Sequence, residues 1–262
     1  RYSPSPAAPR AALDSAYARA MEVVARGHPD DPEAATLYAE SVMDLSPWFY
    51  WTDDGEPRRE APAGLASLER VIAANPEHPG ACHFFIHAVE ETQPRRAVPC
   101  AERLAALMPG AGHLVHMPGH IYIRVGRYMD AIRANEHAVH ADEAYIQDQR
   151  PGTGIYTLGY YPHNSDFLAF AAMMAGRRDQ SLEAARKVAD GIPQEVLRAP
   201  GMEFLQHRMT RTLQLLVRFE RWDDVLRAPA PPEDLRHARA MWHYARGRAL
   251  AARGQADAGE SE

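Results

Sequence analysis

GHLVHMPGHIYIRVGRYMDAIRANEHAVHAD, residues 112–142, reads as two helices joined at a glycine. Apolar residues recur at helical spacing on both sides of Gly126. Glycine accepts the left-handed conformation that ends a helix, and the aromatic Tyr128 opens the next one. The small Ala131 follows where two helices would cross, and small residues let helices approach closely.

The pattern extends in both directions. Shifted by about 34 residues, a tetratricopeptide-like period, Ala97 falls on Ala131 and Pro109 marks the end of the preceding pair. Its helices are expected near 81–91 and 95–107. Earlier helices end at Asn75-Pro76 and before Pro29 and Pro32. Later ones run near 167–175 and 181–189, 204–219 and 222–226, and 237–253. Gly119, Tyr122, Ala131 and Ala138 fall on the small and aromatic positions of the tetratricopeptide (TPR) pattern, so the chain resembles that family. The resemblance implies an all-α, TPR-like α-solenoid of antiparallel helix pairs, about five repeats long. One domain over 1–262 is expected, with insertions near 48–63 and 146–161 and an incomplete last repeat near 237–262. Residues after Gly254 should be poorly ordered or pack as a partial pair, leaving an apolar face that favours self-association.

Composition narrows the function classes. The 262 residues carry 29 basic and 35 acidic side chains, a net charge of -6, with no basic block that would track nucleic acid. No apolar run reaches the length of a membrane span. The first residues, RYSPSPAAPR, contain no apolar signal core, and there is no starting Met, so the chain reads as a processed product or fragment. A bacterial cytoplasmic or periplasmic setting is then equally open. Cys82 and Cys100 are expected as two buried thiols in neighbouring helices. Phosphate-loop, GxSxG, HExxH and CxxC motifs are missing.

Thirteen histidines stand out, and three segments hold the informative ones: HFFIHAVEE from His83, HLVHMPGH from His113 and YYPHNSD from Tyr160. His83/His87 and His116/His120 are i, i+4 pairs, each on one helical face. Neutral imidazoles at that spacing can chelate a transition ion. The pairs lie 33 residues apart, nearly one repeat, so they should occupy equivalent places on consecutive first helices and face one concave groove. His163 should join them from the next first helix. The candidate metal ligands are His83, His87, His116, His120, His163, Glu90 and Asp166. His113, Glu91, Tyr160, Tyr161 and Asn164 are candidates for the surrounding shell or groove wall. The loop before Tyr160 and Tyr161 should fold over the groove mouth, with Gly152 and Gly154 as hinges. His137 and His140 belong on an outer face, His28 and His78 in turns, and His207, His237 and His243 form no cluster.

HFFIHAVE, HMPGHIYIRVGRY and YYPHN resemble motifs of a bacterial TPR-containing group of largely unassigned function. The likeness runs from about His28 to Ala189, and it implies longer relatives with further repeats upstream. Members of that group often carry a histidine where this chain has Asp166, a harder ligand that argues against a purely imidazole copper site. The expected cofactor is a transition-metal ion: copper, zinc or iron. A metal-dependent oxidoreductase and a hydrolase both fit such ligands. The rival is a metal-free TPR interaction module with a peptide or small molecule in its groove.

Overall fold

The computed structural model describes residues 3, 5 and 8–262. The chain is all-α: among the described residues there is no strand, only an isolated antiparallel bridge between Trp51 and Pro57. It divides into two compact units, Arg1–Arg127 and Tyr128–Glu262.

The first unit holds α1 (Arg10–Gly27), α2 (Pro32–Met43), α3 (Ala61–Ala74), α4 (Pro79–Val89), α5 (Val98–Leu107), α6 (Gly112–His116) and α7 (Pro118–Arg124). Prolines and caps set the starts. Asp31 accepts from the amides of Glu33 and Ala34 with Pro32 in the first turn of α2. His78 is buried and its Nδ1 accepts from the Ala81 amide, opening α4 ahead of Pro79. Leu68, Val71, Ile86, Val89, Leu104, Met117 and Ile121 are buried in this unit. Cys82 on α4 and Cys100 on α5 form a disulfide with Cα atoms 5.1 Å apart, which corrects the expectation of two thiols. The neighbouring-helix placement holds; the bond depends on how α4 meets α5, which helical periodicity does not specify.

The insertion at 48–63 folds back on α4. Thr52 and Arg58 donate their amides to Glu56 and Tyr50, and the buried Trp51 donates its indole N–H to the Ala88 carbonyl at 2.7 Å. Trp48 and Phe49 stay exposed on the same loop.

The second unit holds α8 (Tyr128–Gln149), α9 (Tyr161–Met174), α10 (Arg178–Asp190), α11 (Gln206–Met209), α12 (Arg211–Arg218), α13 (Trp222–Arg227), α14 (Arg236–Ala252) and α15 (Ala256–Glu260). Ile192, Leu197, Leu205, Leu235 and Ala238 form one core cluster. The insertion expected over 146–161 is mostly helical. α8 runs through Gln149, and a single π turn, Tyr156–Tyr160, leads into α9. Tyrosine hydroxyls bound to α8 carboxylates hold this segment down, and Gly152 and Gly154 gave no sequence sign of that. Beyond Gly254 lies the short α15, with Ala256 and Ala258 exposed. Gly247 and Gly259 touch so closely that a Cβ on either would stand 3.0 or 2.9 Å from the other's carbonyl oxygen.

One helix stop recurs. At Gly126 and Gly176, with φ of +79° and +72°, the next amide reaches five residues back, Arg127 to Tyr122 and Arg177 to Ala172. Glu220 adopts the same turn at φ +54°, with Arg221 bonded to Leu216. A side chain there carries a steric cost that glycine avoids.

Candidate metal centre

α4 is buried on most of its surface: Ala81, Cys82, Phe85, Ile86, Ala88 and Val89 all face the core. His83, His87 and Glu90 take the remaining stripe, at i, i+4 and i+7. Across from them, α6 and α7 form one broken helical run. Pro118 removes an amide, but Met117 keeps helical angles and its amide still reaches His113, while that of His120 reaches Met117. His113, His116 and His120 therefore stack along one side of that run.

The two stripes meet. Nε2 of His83 lies 3.1 Å from Nε2 of His113. The ring centroids of His83 and His87 are 5.0 Å apart, those of His87 and His120 5.3 Å, and those of His116 and His120 4.7 Å. Glu90 sits between two rings, with Oε1 3.2 Å from Nδ1 of His87 and Oε2 2.6 Å from Nδ1 of His120. His83, His87 and His113 each offer a ligand atom within 4.8 Å of the others, and so do His87, Glu90 and His120. These groups are close enough to hold a metal ion.

The electrostatics match a cluster of neutral bases around one anion. Burial, reinforced by the neighbouring imidazoles of His87, His113 and His120, lowers the His83 pKa to about 2. Burial, with His87 and His120 nearby, lowers that of His113 to about 4. Burial also lowers His120, against the opposing pull of Glu90. For Glu90 burial acts upward, but hydrogen bonds and charge from His120 and His87 outweigh it and bring the carboxyl down to about 2. The depressed imidazoles stay unprotonated at neutral pH, which metal ligation requires.

Among the sequence candidates, His83, His87, Glu90, His116 and His120 come together in the first unit, and His113 joins them at ligand distance instead of at the wall. Glu91 does not: it is exposed and lines an open cavity with Trp48, Phe49 and Asp53. Tyr50, half-buried near Glu90 and raised in pKa chiefly by burial, with Asp44 and Glu90 adding to it, was missed, since WFYW carries no spacing relation to the histidines.

The remaining candidates belong to the second unit. His163 lies in the first turn of α9 with its ring 4.7 Å from that of Phe167. Both oxygens of Asp166 are engaged by the Arg211 guanidinium, one at 2.7 Å, so this carboxylate already has a cationic partner. Asn164 donates to the buried Asp142, and Tyr161 donates to Glu143. The Tyr160 ring lies 6.0 Å from that of Tyr156. No helix is long and apolar enough to cross a membrane among the described residues. Compared with protein-family models and with curated proteins, the chain matches none.

Proposed function

We propose that the first unit is a transition-metal-binding helical module whose ion is held between α4 and the α6–α7 run. The observation that carries this reading is the 3.1 Å separation of Nε2 of His83 and Nε2 of His113. Two nitrogens on one tetrahedral zinc or copper ion, each about 2.0–2.1 Å from it, stand roughly 3.3 Å apart. The rings are thus already spaced as co-ligands. His87 brings a third imidazole donor within ligand distance of both, and the His120 ring lies beside that of His87. The alternation of helices and glycine stops fits the TPR pattern, and membership of the histidine-bearing bacterial TPR group is part of the proposal. Catalysis would add an open coordination position on the ion.

Cobalt(II) titration tests the proposal, because tetrahedral cobalt absorbs strongly in the visible range. The wild-type chain should develop such bands saturably, and zinc should bleach them. The His87→Ala/His120→Ala variant should lose them while keeping its helical circular dichroism. A wild-type chain that binds neither cobalt nor zinc leaves the metal-free TPR interaction module as the reading.

A further inference from the structure

We infer that Glu90 is a positioning residue of this centre and not one of its ligands, so that the ion is held by imidazole nitrogens alone. The inference rests on the metal-binding reading above and deepens it.

Distances separate the two roles. A pair of atoms that ligate the same ion at about 2.0–2.1 Å stand roughly 2.9–3.4 Å apart at right or tetrahedral angles. Oε2 of Glu90 and Nδ1 of His120 are 2.6 Å apart, shorter than that range and typical of a charge-assisted hydrogen bond. The 3.2 Å contact from Oε1 to Nδ1 of His87 suits either role, but the same carboxylate cannot move toward an ion without giving up the shorter bond. Each oxygen therefore takes the Nδ1–H of a different ring.

The consequence lies on the far side of those rings. An imidazole that carries its proton on Nδ1 has its lone pair on Nε2. Glu90 thus sets one tautomer in both His87 and His120, fixes the ring planes and raises the basicity of the outward nitrogens. His83 and His113 already direct Nε2 toward each other. His83, His87 and His113, whose ligand atoms lie within 4.8 Å of one another, make up the imidazole donor set, with the His120 ring beside that of His87. Such a set suits zinc, copper or nickel and is poor for magnesium or calcium, which require oxygen ligands. Glu90 has the reach for this because it follows His87 by three residues, capping the C-terminal end of α4, and its carboxylate meets His120, 30 residues further on.

The experiment is zinc binding by the full chain, read by competition affinity and by X-ray absorption at the zinc edge, for wild type and Glu90→Gln. The wild-type ion should show a shell of imidazole nitrogens without a carboxylate oxygen. Glu90→Gln cannot accept from both rings, so zinc affinity should fall about 10–100-fold while stoichiometry and the nitrogen shell stay the same. An oxygen scatterer present in wild type and lost in Glu90→Gln would overturn the inference, because Glu90 would then be a ligand. Unchanged affinity in Glu90→Gln would overturn it as well, and so would displacement of zinc by millimolar magnesium or calcium. Circular dichroism of the variant checks that its fold persists. A wild-type chain that takes up no zinc fails at the earlier step and removes the metal reading together with this one.

Discussion

Each unit buries one polar knot around a carboxylate, and the two knots are built from different partners. In the first, Glu90 is gripped by His87 and His120, whose remaining nitrogens belong to a wider imidazole cluster. In the second, Asp142 is fully buried and accepts from the Tyr156 hydroxyl at 2.6 Å and from Asn164 at 2.7 Å. Burial, only partly offset by those two bonds, raises the Asp142 pKa, whereas Glu90 is drawn down to about 2. Neutral donors close a structural knot: they tie the π turn and α9 to α8. Basic donors leave lone pairs available. The difference lies in the partner's second nitrogen and not in the carboxylate.

Covalent linkage separates the units further, and its removal should have the largest effect. The Cys82–Cys100 bond closes a loop of sequence separation 18 beside His83, in the first unit alone. Loop-closure entropy puts its loss at roughly 3 kcal/mol. Cys82→Ala/Cys100→Ala should lower the denaturant midpoint by that much, and reductant should reproduce the shift in wild type. No shift in either case would mean that α4 does not depend on this bond.

Asp142→Ala comes next. It leaves the Tyr156 hydroxyl and the Asn164 amide without their acceptor, for a loss of about 2 kcal/mol, and it should leave zinc capacity intact. Loss of zinc in that variant would erase the distinction between a structural and a ligand knot.

Acid should then act with opposite signs on the two knots. His83 and His113 are depressed from 6.5 to about 2 and about 4, so their contribution to the stability of the metal-free protein is complete above pH 6.5. It is lost as pH falls through that window, because the unfolded chain takes up protons first, on the order of 1 kcal/mol per pH unit. Glu90 adds loss in the same direction below its ordinary 4.5. Asp142, raised above 3.8, works the other way: its contribution is present in acid and fades as pH rises. Stability measured from pH 7 to 5 should fall in wild type and flatten in His83→Gln/His113→Gln. An unchanged slope would mean these rings are not held neutral by the fold.

The smallest effect concerns the helix stop shared by the two units. Glu220→Gly should raise stability by about 0.5–1 kcal/mol, since the φ of +54° costs glycine little. A destabilised variant would show that Glu220 makes a contribution beyond the turn.

What could be read ahead of the structure follows a simple division. Helices and their stops are local, so Gly126 and Gly176 were visible in the spacing, whereas Pro32 was read only as the stop of the helix before it and in fact opens α2. The stripe of His83, His87 and Glu90 was visible for the same reason. Relations across helices were not. Nothing local links Glu90 to His120, Cys82 to Cys100, or Asp166 to Arg211 across 45 residues. His113 was assigned to the surrounding shell or groove wall because it lies outside the i, i+4 pairs, and its approach to His83 is again a relation across helices. Tyr161 was expected as part of a lid, yet its hydroxyl belongs to Glu143 on α8, a partner that only packing reveals.

The central claim is that the first unit's imidazoles hold a metal ion, and the close pair His83 and His113 tests it most directly. Zinc would be counted per chain by elemental analysis after gel filtration, for wild type, Asp142→Ala and His83→Ala/His113→Ala. The account predicts at least one equivalent in the first two proteins and a loss of zinc in the third, with its helical circular dichroism preserved. Zinc retained undiminished by His83→Ala/His113→Ala, or bound by none of the three, would contradict it.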